Sequence, residues 1–188
     1  LNTAAVSAER DRRAAETAAL LASGARSVVR LSARMPAALR EQGLSIEPVE
    51  RGALVFESAC RDRTLQLLPA DTGSGPLGPW RLWTSDSAPM ALKRASLYVE
   101  EGSWLGQLLD IDVMDNDGPV GRADLCLPPR PCAVCGAPAA ACSGRGIHDG
   151  AAVYAAFAAI LERSRTGAPV QRVHEDLRMG APLAHAHP

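Results

Sequence analysis

Leu108-Leu109-Asp110-Ile111-Asp112-Val113-Met114 is the stretch whose reading decides the fold of this chain. Leu108, Leu109, Ile111 and Val113 give it the composition of a largely buried strand, and Asn116-Asp117-Gly118 ends it with a turn signal, Asp115 and Asp117 shaping the turn. Residues two apart in a strand share a face, so Asp110 and Asp112 project together while Ile111 faces the core. Val120 to Leu127 is expected to return antiparallel, with Cys126 as a small core residue on that strand.

Upstream, Ala88–Glu101 reads as a helix with Pro89 in its first turn, preceded by a short strand over Trp80–Thr84. Residues 69–79 (PADTGSGPLGP) read as a loop. Most of Val49–Leu68 reads as a helix from the rough spacing of Val49, Leu54, Phe56, Cys60, Leu65 and Leu68, although Gly52 interrupts it; Cys60 is assigned to the core. Ser27–Arg34 alternates as a strand that Pro36 terminates. Residues 5–22 form an Ala-rich helix with Ser7 near its cap and Gly24 at its end. Its expected apolar stripe is Val6, Ala14, Ala18 and Leu21, with Glu9, Arg10, Arg12 and Arg13 solvated. Downstream, Pro128–Ile147 lacks periodicity. Asp149 caps a last helix to about Arg165, carried by Val153, Phe157, Ile160 and Leu161. Helices and strands mix without βαβ alternation, which predicts an α+β fold: a small mixed or antiparallel sheet with packed helices and a Cys-rich loop. Residues 1–166 are expected to form one catalytic domain, with 129–148 as the loop within it. Residues 167–188 are expected to be a flexible tail in which His185 and His187 are exposed.

The 188 residues carry 20 basic and 21 acidic side chains, a net charge of −1, which gives no general attraction to nucleic acid or an anionic membrane. No apolar run approaches the roughly 20 residues of a membrane span. Leu1–Arg13 is too polar for a signal peptide, and four of the five cysteines lie within 17 residues. With no export signal, these features point to a reduced cytoplasm and to metal-bound or free thiols rather than disulfides.

Two constellations carry chemistry. Asp110 and Asp112 form a like-charged pair on one strand face, and a divalent cation such as Mg²⁺, shared with substrate phosphates, relieves their repulsion. Such pairs serve metal-dependent nucleotidyl transfer, although a D-x-D beside a turn also occurs as surface chemistry. Cys132-x2-Cys135-x6-Cys142-x5-His148 has the ligands for a closed, structural tetrahedral Zn²⁺ site. The same residues also fit three reduced thiols with His148 starting the last helix. Arg122, Arg130 and Arg145 flank the two constellations; Arg122 and Arg130 are the candidates for phosphate contacts, and Arg145 fits a solvated surface equally well.

Gly106-Gln107-Leu108-Leu109-Asp110-Ile111-Asp112-Val113, then Pro128-Pro129-Arg130-x-Cys132-x2-Cys135, then Cys142 and His148, resemble one family in order and spacing. It is the apo-citrate lyase phosphoribosyl-dephospho-CoA transferases, or holo-citrate lyase synthases, whose pattern is close to G-R-L-F-D-I-D-V followed by P-P-R-x-C-x-x-C-x6-C and a His. Gly75-Pro76-Leu77-Gly78, Ala91-Leu92-Lys93 and Glu100 are also similar to family segments. The chain departs at Gln107, where the family has Arg, and at Gly121, where it has Ser. It reads Arg34-Met35-Pro36-Ala37 where an Asn-Ile-Pro-Gly-like segment and a Lys are usual.

The resemblance implies transfer of 2′-(5″-triphosphoribosyl)-3′-dephospho-CoA to a serine of the acyl carrier (γ) subunit of citrate lyase, with release of diphosphate. Asp110 and Asp112 would be the catalytic pair that holds Mg²⁺. A reading from another class is a non-catalytic, zinc-stabilised module that binds an acyl carrier protein.

Overall fold

The computed structural model describes residues 3–166; the tail expected over 167–188, with His185 and His187, lies outside the described residues. Five strands, β1 (Ser27–Ala33), β2 (Leu68–Gly75), β3 (Gly78–Ser85), β4 (Leu109–Asp115) and β5 (Gly118–Val120), form one sheet in the order β2-β3-β1-β4-β5. Every neighbouring pair is antiparallel. The helices are α1 (Thr3–Ala22), α2 (Ala37–Glu41), α3 (Ile46–Arg61), α4 (Pro89–Gly102), α5 (Trp104–Gln107), α6 (Ala139–Arg145) and α7 (Gly150–Thr166). The fold is α+β, as the sequence predicts.

The core forms where one face of the sheet meets helices. Val29, Leu31, Leu109, Ile111, Val113 and Trp83 pack there against Phe56 of α3, Leu92 and Val99 of α4, and Phe157, Ile160 and Leu161 of α7. Each fully buried aliphatic or aromatic side chain contributes roughly 1.5–3 kcal/mol. Gly52 lies within an uninterrupted α3, and Leu109 lies across it: a methyl group there would sit 2.4 Å from Leu109 Cδ1. Helix propensity yields to close packing at that position.

The opposite face is only partly covered. Val28, Trp80 and Leu82 receive Leu20, Leu21 and Ala25, and the rest of the α1 contact is polar. Leu21 faces the sheet and Arg10 and Arg12 stay exposed as expected, but Glu9, Arg13 and Thr17 take the inward positions expected of Ala14 and Ala18. Ala14 and Ala18 are exposed, whereas Glu9 is 7% exposed. Glu9 accepts from Arg12 Nε at 3.0 Å and Arg13 Nε at 2.7 Å. Both guanidinium groups stack on the Trp80 ring, 4.6 and 4.7 Å from its centroid. The Arg-on-Trp stack supplies flat burial that alanine cannot. Ser7 lies inside α1 rather than at its cap.

Other expectations are corrected. Residues 69–79 are mostly strand: β2 and β3 form a hairpin whose ends pair at Gly75 and Gly78, with Gly78 at φ +88. β2 reads as a loop because it is an exposed edge with no buried face, so its ladder leaves no apolar alternation. The helix expected over Val49–Leu68 begins earlier, at Ile46, and ends at Arg61. Leu54 and Leu68 are 67% and 59% exposed. The return strand stops at Val120, because Asp124 Oδ2 accepts the Gly121 N–H at 2.7 Å and a 3₁₀ turn follows over Ala123–Leu125. Cys126 then adopts φ 55 and is exposed, not a core residue on a strand. Cys60 is buried, as expected. Asp149 caps α7 through Oδ1, which accepts from Ala152 N at 2.7 Å, and Asp115 Oδ1 closes the β4–β5 turn by accepting from Asp117 N and Gly118 N.

Candidate active site and metal centre

Alternation along β4 buries Leu109, Ile111 and Val113 and leaves Asp110 and Asp112 exposed on the other face. Across the register Asp112 faces Arg30 and Asp110 faces Ser32 of β1. The two carboxylates therefore lie on the sheet face that α1 covers only in part. Asp112 keeps solvent-exposed surface, yet protein crowds it: loss of hydration first, and the Asp110 charge second, push its carboxyl up to about 6. Among the described residues no cation lies at ion-pair distance from it. Two carboxylates with this surplus of negative charge form a donor set suited to a hard divalent cation.

Arg130 converges on this site. Its Nη1 lies 3.6 Å from Asp110 Oδ1 and 3.7 Å from Glu100 Oε1, and its Nη2 donates to Leu109 O at 2.9 Å. Arg122 is placed differently: it pairs with Glu101 and donates from Nε to Pro128 O at 2.6 Å. Arg145 is exposed at the end of α6.

Sequence reasoning gave no site role to four further residues here, although Lys93 and Glu100 fall in family-like segments and Arg34 in a departing one. Arg34 donates to Pro131 O at 3.3 Å and lies over the Phe157 ring. Burial first, and the nearby Arg130 charge second, push it down to about 10. Arg30 is buried, with Nη2 held by Arg13 O, Glu16 and Thr17 and with Nη1 unpartnered. Lys93 and Glu100 of α4 are 7% and 4% exposed. Lys93 Nζ donates to Ile111 O at 3.0 Å, and Glu100 Oε1 accepts the Ile111 N–H at 2.7 Å. Burial pushes the Glu100 carboxyl up, against the pull of Arg130, Lys93 and that N–H. The legible signal was Lys93 itself, the single lysine of the chain, seven residues before Glu100 and so two turns away on the same helix face.

The cysteines gather as the spacing suggests. Sγ of Cys132, Cys135 and Cys142 and a ring nitrogen of His148 all lie within 4.8 Å of one another, an arrangement that can hold a metal ion. Cys135 Sγ and Cys142 Sγ are 3.6 Å apart, close to the edge of about 3.8 Å that a tetrahedron with 2.3 Å metal–sulfur bonds requires. A small hairpin builds the first half: Cys132 N donates to Ala137 O at 2.7 Å, and Gly136 turns the chain at φ +77. The Val134 N–H points at Cys132 Sγ at 3.4 Å. Loss of hydration opposes the Cys132 thiolate, but this N–H, that of Cys135 and the neighbouring thiols outweigh it and hold the thiol at about 6. His148 Nε2 is buried without a hydrogen-bond partner. A buried imidazole nitrogen with no hydrogen-bond partner, on a ring that lies against three sulfurs, fits a fourth ligand. Cys126 stands outside the cluster.

The loop is tied to the carboxylates. Ala139 N donates to Arg130 O at 2.8 Å, and Arg34 bonds Pro131 O, so the cluster orders the segment that carries Arg130. A separate open cavity of about 320 Å³, lined by Arg40, Ser45, Ser74 and Gly78 among others, includes neither carboxylate. Among the described residues no helix is long and apolar enough to cross a membrane.

Residues 2–164 match the sequence profile of a family described as "CitX: Apo-citrate lyase phosphoribosyl-dephospho-CoA transferase". Proteins with that name from Escherichia coli O139:H28 (strain E24377A / ETEC) and Shigella boydii serotype 18 (strain CDC 3083-94 / BS512) are each 39% identical to the chain over 80 residues. The aligned stretch spans 42% of this chain and 42% of each relative, less than half of either.

Proposed function

The chain belongs to the apo-citrate lyase phosphoribosyl-dephospho-CoA transferase family, and from that premise we propose that it attaches a prosthetic group to a carrier protein in the cytoplasm. The donor is 2′-(5″-triphosphoribosyl)-3′-dephospho-CoA, and the acceptor is a serine of the citrate lyase acyl carrier (γ) subunit. The serine oxygen bonds to the phosphorus nearest the ribose, diphosphate leaves, and a phosphodiester remains. The single observation that carries this reading is the Asp110–Asp112 pair, side by side on one open strand face with Asp112 pushed up to about 6.

In this proposal Asp110 and Asp112 hold Mg²⁺, which supplies charge neutralisation for the phosphates and the leaving diphosphate. Arg130 steadies Asp110 and offers its guanidinium edge to phosphate oxygens, for which its planar fork is suited. Arg122 is a second phosphate contact, one that shares its guanidinium with Glu101. Cys132, Cys135, Cys142 and His148 hold a structural Zn²⁺ that fixes the Arg130 segment, and take no part in the transfer.

The test is intact-mass measurement of apo carrier subunit incubated with the protein, triphosphoribosyl-dephospho-CoA and Mg²⁺. A mass gain equal to the phosphoribosyl-dephospho-CoA group is expected, abolished by Asp110→Asn or Asp112→Asn with circular dichroism unchanged. An authentic acceptor that binds but gains no mass would replace this reading with that of a docking module.

A further inference from the structure

Ile111 separates the two carboxylates, and its backbone is held in an unusual way. In an antiparallel strand the N–H and C=O of alternate residues point to opposite neighbours. Val113 pairs with Val120 of β5, so the groups of Ile111 and Leu109, two and four residues before it, point to the same outer side. β5 spans only Gly118–Val120 and reaches no further than Val113 along β4. Beyond it the outer edge of β4 would be bare.

Three charged side chains complete that edge. Arg130 Nη2 takes Leu109 O at 2.9 Å, Glu100 Oε1 takes the Ile111 N–H at 2.7 Å, and Lys93 Nζ takes Ile111 O at 3.0 Å. Lys93 and Glu100 present one donor and one acceptor from a single helix face, as the peptide of a missing strand would. Neutral side chains could make the same two bonds, so the burial of charge, which is costly, needs a reason at this position. Both groups lie on the peptide units that link Asp110 to Asp112, and Glu100 also touches Arg130, which touches Asp110.

We infer that Lys93 and Glu100 are positioning residues: by clamping the Ile111 peptide they fix the separation and direction of the Asp110 and Asp112 carboxylates for a divalent cation. This inference rests on the metal-binding reading of the pair proposed above. Neither residue touches the reacting atoms. Their effect passes through the Ile111 backbone, as outer-shell partners of metal ligands act elsewhere.

The experiment uses the full chain and Mn²⁺ as a paramagnetic probe, with free Mn²⁺ read by electron paramagnetic resonance. Lys93→Met and Glu100→Ala remove the bonds to Ile111; Lys93→Arg and Glu100→Gln retain a donor and an acceptor. The first two are expected to weaken Mn²⁺ binding by about 10-fold or more, the usual effect of losing an outer-shell partner, and the second two to stay within about threefold of wild type. In the transfer assay the Mg²⁺ requirement should rise while KM for the CoA donor holds. Folding is checked by circular dichroism, and the two variants at Lys93, or the two at Glu100, suffice if the other position does not tolerate substitution. Wild-type affinity in Lys93→Met and Glu100→Ala overturns the clamp and leaves the metal reading standing. Equal losses in all four variants overturn it too, because charge or packing would then matter rather than the bonds. Absence of Mn²⁺ binding by the wild type removes the metal reading itself, and the clamp with it.

Discussion

Gly106→Ala tests the close approach that brings α5 against α4 behind the carboxylates. A methyl group at Gly106 would lie 1.9 Å from Val99 O, 2.8 Å from Val99 C and 2.9 Å from Glu100 C, where real contacts do not fall below 3.0 Å. All three atoms are backbone, so no rotamer change relieves the clash and the two helices must part by about an ångström. Overpacking that a core can absorb costs about 1–3 kcal/mol; with backbone on the far side we expect the upper end, about 3 kcal/mol. Arg130 is also anchored here, through Gly106 O at 3.4 Å. Urea unfolding followed by tryptophan fluorescence reads the effect. With a slope of about 2 kcal/mol per molar urea, the midpoint should fall by about 1.5 M. Gly102→Ala is the control, since a methyl group there meets nothing within 4 Å. It should leave the midpoint unchanged or raise it by up to about 0.5 M, because alanine is the better helix former. Coincident midpoints for the two variants, or a Gly106→Ala midpoint within about 0.3 M of wild type, would refute the reasoning.

Asp112 gives a pH-dependent prediction: its folded carboxyl sits at about 6, above the roughly 3.9 of an unfolded aspartate. A raised folded value means that stability is full below about pH 4 and is lost as pH rises through 6 in metal-free protein. Discounted for its exposed surface, the loss is about 1 kcal/mol. Asp112→Asn should therefore raise the metal-free Tm by about 2–4 °C near pH 7.5 and leave it unchanged near pH 4; equal differences at both pH values in scanning fluorimetry would contradict the assignment. For the cysteine cluster, protein expressed with zinc supplementation should contain about one equivalent by elemental analysis. His148→Ala should lower the zinc content and Cys126→Ser should not. Less than about 0.3 equivalents in the wild type would mark the cluster as plain thiols.

What was legible in the sequence was whatever repeats along one element. The alternation of Leu109, Asp110, Ile111, Asp112 and Val113 gave β4 and its two faces correctly, and the spacing of Cys132, Cys135, Cys142 and His148 anticipated a cluster that closes in space. Features that depend on a second element were hidden. β2 has no buried face to impose a period, so only its hydrogen bonds to β3 reveal it. The inward face of α1 was only partly read because Glu9 is buried and Arg13 is largely buried over Trp80, some 67 residues distant, and no helical period marks such a stack. Lys93 and Glu100 were visible as residues, but their role requires knowing that β5 ends before it reaches Ile111.

The outer edge of β4 has a consequence for solubility as well. A sheet with a bare edge offers unpaired N–H and C=O groups to any passing strand, the usual starting point of aggregation. Along Leu109–Ile111 that row is already occupied by Arg130, Glu100 and Lys93. The far edge, β2, is blunted by other means: Pro69 lacks an N–H, the register slips between Pro69 and Asp71, and Asp71 places a charge on the rim. The β2 edge and the part of β4 beyond β5 thus resist a further strand by unrelated chemistry. On the β4 side the refusal depends on Lys93 and Glu100, which hold the Ile111 peptide, and on Arg130, which holds Leu109 O, so a change that loosens the carboxylates would also free backbone groups for pairing with another strand.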